Sequence, residues 1–244
     1  MFARDTSAWI NRVNQKHKQL VDLGLSDEQK ERLDRFCEIE FVYSTLKLEG
    51  PGVTREQVAR IASNKSGAMP ATDNEQDAVA LLTSLRIVGS LGREKGKASE
   101  LRADLLLKLH EAPAAAGFRS GPGNPSHMPK PVPPEHLPAL LEGAFRWYTA
   151  ESFTELNPVE QASIVLLRLI DLQPFEQANE RTALVAASLF TLRSELPPII
   201  IKPERAAAYW NALDEGARMN TKPMVETTAE AIEKSLEEMI EESR

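Results

Sequence analysis

Residues 173–184 read Gln-Pro-Phe-Glu-Gln-Ala-Asn-Glu-Arg-Thr-Ala-Leu (QPFEQANERTAL), a short polar turn that runs directly into an apolar stretch. Upstream, Asn157-Pro158-Val159-Glu160 supplies a helix cap, a proline at the first helical position and a glutamate at the third. The helix it starts, VEQASIVLLRLIDL, leads into the turn. Downstream, RTALVAASLFTL is apolar on nearly every face, which predicts a helix in the middle of a bundle. The N-terminus of such a helix points unpaired backbone N–H groups at whatever lies above it, a ready anion site. Asn179 stands where a cap would stand, and Arg181 adds a positive charge within one turn.

The same punctuation extends along the chain. Ser26 with Gln29, Thr54 with Gln57 and Thr72 with Glu75 read as capping boxes. Between them the apolar residues keep helical spacing, as in Leu101, Leu105, Leu106 and Leu109. Strand-like alternation is scarce. Residues 196–202 (LPPIIIK) are the best extended candidate, and their prolines limit them to an edge segment or a helix leader. The predicted fold class is therefore all-α. Residues 112–138 stand apart, crowded with proline and glycine and carrying Phe118, Arg119, His127 and Met128. Loops of that length in compact domains are commonly functional. The division expected is an N-terminal helical region, 1–95, and a helical core, 96–244. The acidic end, EEMIEESR, reads as a fraying solvated helix end.

At 244 residues the chain buries enough surface to need no staples. Its one cysteine, Cys37, excludes an internal disulfide, fits a reducing compartment and lies among apolar residues as a buried, inert thiol. No apolar run reaches the roughly 18–20 residues that span a bilayer, and the N-terminus lacks a signal-peptide core, so no membrane partner and a cytoplasmic location are expected. A net charge of −7 argues against DNA as a partner. CxxC pairs, HExxH and GxxxxGK[ST] do not occur.

The turn and its surroundings resemble the Fic (Fido) family, whose loop carries HPFx[D/E]GNGRxxR at a helix junction. Pro174, Phe175, Asn179 and Arg181 match in register. LLLKLHEAPAAAGFR, ending at Arg119, is similar to the family's Leu-His helix and the Gly-x-Arg after it. PPIIIKPERAAAYWNAL resembles the segment that follows the motif, and the whole likeness covers about residues 40–240. It implies a Fic-type helical core with an N-terminal helical extension. It further implies a protein adenylyltransferase chemistry, AMP passing from ATP, with magnesium, to a hydroxyl of a target protein held at the 112–138 flap. A homodimer is left open as its assembly.

The resemblance places the catalytic position at Gln173, the nucleotide contacts at Phe175, Ala178, Asn179, Glu180 and Arg181, and the metal ligand at Gln177. Gln173 stands in place of the histidine that takes the proton from the attacking hydroxyl. An amide does not titrate near neutrality, and losing a general base costs about 10²- to 10⁴-fold in rate. Gln177 replaces the acid that holds the metal. Ala178 and Glu180 replace glycines that let backbone approach phosphate. A Glu180 carboxylate about 5 Å from one phosphate charge repels it by roughly 3 kcal/mol at an effective dielectric of about 20. Leu184 replaces the second arginine. ATP and magnesium are thus implied by the likeness and opposed by the residues present. The expected function is a catalytically impaired Fic-fold protein that serves as a binding or regulatory module. The alternatives are an active AMP or phosphoryl transferase with altered chemistry, and a helical interaction protein that uses its long loop and acidic end.

A second likeness lies in TLKLEG, where Thr45, Glu49 and Gly50 fit the [S/T]xxxE[G/N] of the family's inhibitory helix. Spacing of four puts Thr45 and Glu49 on one face, and Gly50 ends the helix. In the family that glutamate meets the second arginine. With Leu184 there, Glu49 pairs with Arg181, points idle into the pocket, or is a solvated surface glutamate. Elsewhere Phe175 reads as a core plug, His110 as a satisfied core histidine, Arg119 as structural and Asn179 as a helix cap. His127 and His136 are assigned no catalytic role. Trp9, Trp147 and Trp210 read as packing anchors.

Overall fold

The computed structural model describes residues 7–50, 52–63, 70, 72–94, 100–110, 117–123 and 131–244. His127 and Met128, and much of the proline-rich region, lie outside these. Eleven α-helices are described, with no strand among the described residues: α1 (Ser7–Asp22), α2 (Asp27–Glu49), α3 (Arg55–Ser63), α4 (Asp73–Arg93), α5 (Ala103–Leu109), α6 (Leu137–Trp147), α7 (Glu151–Thr154), α8 (Pro158–Leu172), α9 (Asn179–Leu192), α10 (Ala206–Ala217) and α11 (Lys222–Glu242). Short 3₁₀ turns at Pro134–His136 and Pro203–Arg205 lead into α6 and α10.

The helix starts form as their residues dictate. Ser26 and Gln29 cap α2 reciprocally, and Thr54 and Gln57 do the same before α3. Asn157 accepts the Val159 N–H while Glu160 accepts the Asn157 N–H, and Pro158 needs no partner there. At α4, Thr72 accepts the Glu75 N–H.

Helix α9 is the axis of the molecule. Every residue from 182 to 191 is buried, because α8, α4 and α5 cover it on different sides. A helix with no solvated face is possible only at the centre of such a bundle. The main core takes Phe41, Val42 and Leu85 from the N-terminal helices and Leu166, Val185 and Leu213 from those after residue 100. Helices on both sides of residue 95 therefore share one apolar interior. A smaller cluster, with Val13, Leu33, Ile232 and Leu236, seats α1 and the start of α2 on α11.

Residues 196–202 take the helix-leader alternative: they run extended into the 3₁₀ turn before α10, with Ile199, Ile200 and Ile201 at most 2% exposed in the core. Two features differ from what the sequence suggested. The C-terminal stretch is helical to Glu242, and Met239 and Ile240 pack on the α1 cluster, so apolar contact carries the helix to its end. Trp147 is 40% exposed and meets its neighbours edge-on at Phe153, a rim position and not a buried anchor.

Behind α2 lies a buried ionic cluster. Lys202 places its Nζ 2.6 Å from Glu40 and 2.9 Å from Glu238, and Arg55 reaches the other oxygen of Glu40 at 2.7 Å. Cys37 sits beside this cluster, and burial pushes its thiol up to about 12, which keeps it protonated and inert.

Candidate functional site

The loop between α8 and α9 turns through left-handed backbone at two residues that carry a Cβ. Gln173, the C-cap of α8, has φ 42° and ψ 67°; Ala178, the N-cap of α9, has φ 57° and ψ 27°. Such a conformation costs an ordinary residue about 1–2 kcal/mol, so other bonds must hold the turn. Arg119 holds its first half. Its guanidinium donates to the carbonyls of Gln173 (2.6 Å), Leu172 (3.2 Å), Gly121 (2.9 Å) and Val132 (2.6 Å), and its backbone N–H donates to Pro174 (2.9 Å). One buried side chain thus ties the loop to both described stems of the proline-rich region.

Asn179 holds the second half, and not as a cap. It is the first helical residue, and its amide accepts the Phe175 N–H and donates to the Phe175 carbonyl, both at 2.9 Å. An amide carries its donor and its acceptor on two separate atoms, so it can pair with the N–H and the C=O of one residue at once, which explains Asn179 better than capping does. Phe175, 1% exposed, plugs the core beneath the loop and stacks on His110 with ring centroids 3.5 Å apart and planes 3° apart. Phe118 leans on its other side at 5.6 Å. The Thr182 hydroxyl gives its one proton to the Ala178 carbonyl, so His110 Nδ1, 3.1 Å away, carries a hydrogen and donates to Thr182. Burial, with Arg181 nearby, lowers His110 to about 4 and keeps the ring neutral.

Gln173 itself is 4% exposed, and its Oε1 is buried without a hydrogen-bond partner. Gly123 makes that position available: a Cβ there would come 2.9 Å from this oxygen. Glu176 and Gln177 are exposed. Leu184 is 1% exposed and packs into the core.

Arg181 faces two carboxylates from two other helices. Its Nη1 lies 2.9 Å from Asp77 on α4, and its Nε lies 3.6 Å from Glu49 at the end of α2. The Glu49 carboxylate also lies close to the Arg181 backbone N–H, at the N-terminus of α9. Gly50 ends α2 there at φ 146°, and Thr45, one turn back, is buried. Burial pushes Glu49 up to about 7; Arg181 pulls against this, and Glu180 and Asp77 add to it. Tyr209 on α10, a buried phenol without a hydrogen-bond partner, is raised by burial first and then by Glu180 and Glu49.

A carboxyl held near 7 when folded and near 4.5 when unfolded binds more protons in the folded state across that window. Its contribution is fully present below about pH 4.5 and is lost as pH rises through about 7. Glu49→Gln is expected to remove on the order of 3 kcal/mol from the fall in unfolding free energy between those pH values. Urea titrations at several pH values read this directly, and an unchanged slope in the variant would refute it.

Residues 100–191, which include the loop and α9 up to its last residue but one, match the model of the Fic/DOC family. Residues 100–191 belong to the Fic/DOC family. The chain is 32% identical over 110 residues to the protein adenylyltransferase fic-1 of Caenorhabditis elegans, covering 45% of this chain and 22% of that protein. It is 22% identical over 238 residues to the protein adenylyltransferase Fic of Drosophila ananassae, covering 93% and 47%. The chain therefore spans about a fifth to about half the length of these curated relatives. Its fold matches a Fic-domain-containing signaling protein from Bacteroides thetaiotaomicron with a TM-score of 0.82 at 22% identity, over 96% of this chain and 97% of that one. It matches Fic-1 from Caenorhabditis elegans at 0.81 and 22%, over 97% and 71%. The fold is a Fic fold.

The residues of this Fic domain do not fit ATP with magnesium. Gln177 offers a neutral amide where a metal needs an anionic oxygen. Among the described residues no group of three or more His, Cys, Asp or Glu side chains converges to hold a metal without a nucleotide's phosphates. The cavity beside Arg181, lined by Asp77, Ser84, His110, Ala178 and Thr182, measures about 20 Å³, room for about one water. Asp77 and Thr182 were not singled out from the sequence. Asp77 shows no motif there, because its role depends on α4 crossing α9, whereas Thr182 could have been read as the hydroxyl one turn after Ala178.

Proposed function

We propose that this Fic-fold chain has lost ordinary AMP transfer and acts as a binding or regulatory module. The observation that carries this reading is Gln173: a buried amide with no proton to exchange near neutrality, at the loop position that resembles the family's base. The rest of the loop supports it. Glu49 and Asp77 neutralise Arg181, Ala178 keeps a Cβ at a left-handed turn, and Gln177 cannot replace a carboxylate on a metal. Phe175, Asn179 and Arg119 meanwhile keep the loop's shape by packing and hydrogen bonds that need no nucleotide. The partner this reading assigns is a protein held near the stems at residues 117–123 and 131–138, which Arg119 ties to the loop.

The test uses labelled ATP with magnesium. The chain is expected to transfer no label to itself or to proteins of a lysate. Restoring Gln173→His, Gln177→Asp, Ala178→Gly, Glu180→Gly and Leu184→Arg together is expected to tighten Mg-ATP binding at least about tenfold by calorimetry. Because Leu184 is buried, a second variant leaves it in place, so that a folding defect is not mistaken for a negative result. Label transfer by the unaltered chain would overturn the proposal.

A further inference from the structure

The geometry points to Asp77 on α4 as the positioning residue that keeps Arg181, and with it the N-terminus of α9, closed to anions. This deepens the reading of residues 173–184 as a former nucleotide loop and rests on it. Two carboxylates reach Arg181, and they do different things. Glu49 lies near the Arg181 backbone N–H at the helix N-terminus, with its oxygen 3.6 Å from Nε. Asp77 takes the far end of the guanidinium, Nη1, at 2.9 Å. The shorter of the two ion pairs is therefore the one from α4, and it sets where the guanidinium points. The Arg181 side chain is 18% exposed and lies against the small cavity that Asp77, Ser84, His110 and Thr182 line. An arginine buried to that degree needs a counter-charge. Asp77, 40% exposed itself, supplies one from within the chain. An arriving anion must displace Asp77 from Nη1 as well as Glu49 from the helix end. Displacing either one alone leaves the guanidinium still engaged.

This arrangement makes α4 a partner in the control of the site. Asp77 leaves Arg181 only if α4 shifts against α9 or if a stronger anion competes. Helix α4 packs on α9 and also on α2, which carries Glu49. A load on α4 therefore acts on both carboxylates.

The test uses the full chain and inorganic pyrophosphate as the probe, with binding read by calorimetry. Asp77→Ala and Asp77→Asn are each expected to tighten pyrophosphate binding about tenfold. Glu49→Gln is expected to give a smaller gain, and the double variant the largest. Asp77→Glu keeps the carboxylate and should keep the site closed. Arg181→Gln in the Asp77→Ala background should erase the gain. The Arg181 Nε–Hε resonance should move in Asp77→Ala and return in Asp77→Glu, a signature that a purely structural role would not produce. Thermal unfolding confirms the fold in each case. A gain from Glu49→Gln that exceeds that of Asp77→Ala overturns the assignment, as does an Asp77→Ala protein that is folded and binds no better than the parent. The five-substitution loop variant separates the two layers. If it binds pyrophosphate and Asp77→Ala adds nothing in its background, the role of Asp77 falls alone. If it does not bind at all, the nucleotide-loop reading falls, and the role of Asp77 with it.

Discussion

Replacing Lys202 with methionine is expected to destabilise the fold by about 3–5 kcal/mol, read as a fall in the urea midpoint at unchanged slope. The side chains of Lys202 and Glu40 are 10% and 9% exposed, and that of Glu238 is 22% exposed. Removing the lysine strands two carboxylates in a space where water does little for them. Arg55 remains on Glu40, but its own side chain is 50% exposed, so it holds the pair from the solvent side only. Arg55→Gln, by the same reasoning, should cost about 1 kcal/mol or less. A Lys202→Met loss no greater than that of Arg55→Gln would show that water reaches the cluster. The sign of the pH effect follows from Glu40. Burial works to raise its carboxyl, but hydrogen bonds from Arg55 and Lys202 outweigh burial and hold it below the ordinary 4.5. The folded value is the lower one, so the pair's stability is present above about pH 4.5 and is lost as pH falls through the folded value. Parent and variant should therefore converge in acid.

This cluster also shows where the sequence stops being legible. Local signals were readable because the partners lie three or four residues apart: the reciprocal caps at Ser26, Thr54 and Asn157 formed as written, and the apolar run after Arg181 became the buried axis. The fold followed from these and from the order of segments around the loop. Glu40, Lys202 and Glu238 meet only because α2, the 196–202 segment and α11 converge, and no spacing in the chain announces that. The site behaves in the same way. Phe175 as a plug and Arg119 as a structural residue were legible, since one is the lone aromatic of a short turn that feeds an apolar helix and the other sits at a glycine-rich bend. Asn179 was misread because a cap and a loop staple call for the same residue one position apart. Only the left-handed backbone at Ala178 decides between them. Arg181 plainly needed a counter-charge, and Glu49 was nominated by the likeness of TLKLEG to the family's inhibitory helix. Asp77 was not, because it reaches the same guanidinium from a helix whose register against α9 the sequence does not state.

Adding Gln173→His to a protein that already carries Gln177→Asp, Ala178→Gly, Glu180→Gly and Leu184→Arg is expected to raise label transfer from ATP by about 10²- to 10⁴-fold. The backbone accepts the change: φ 42° and ψ 67° lie in the left-handed region, where histidine is among the residues enriched. The carbonyl of residue 173 stays anchored by the Arg119 Nε at 2.6 Å, so the side chain leaves the backbone in the same direction as the present amide. That amide leads into a buried pocket edge beside Gly123, where its Oε1 has no partner, so an imidazole nitrogen displaces no existing hydrogen bond. Burial disfavours the imidazolium and lowers the ring's pKa below its free value, which leaves a neutral base in place at pH 7. A base that takes the hydroxyl proton should give a rate that rises with pH and levels off above the imidazole pKa; the four-substitution protein with Gln173 should show no such limb. The comparison is made at saturating ATP, so that a change in nucleotide affinity does not enter. If both proteins bind ATP and transfer label at the same pH-independent rate, position 173 is not the place from which a base acts, and the account of Gln173 as the lost step is wrong.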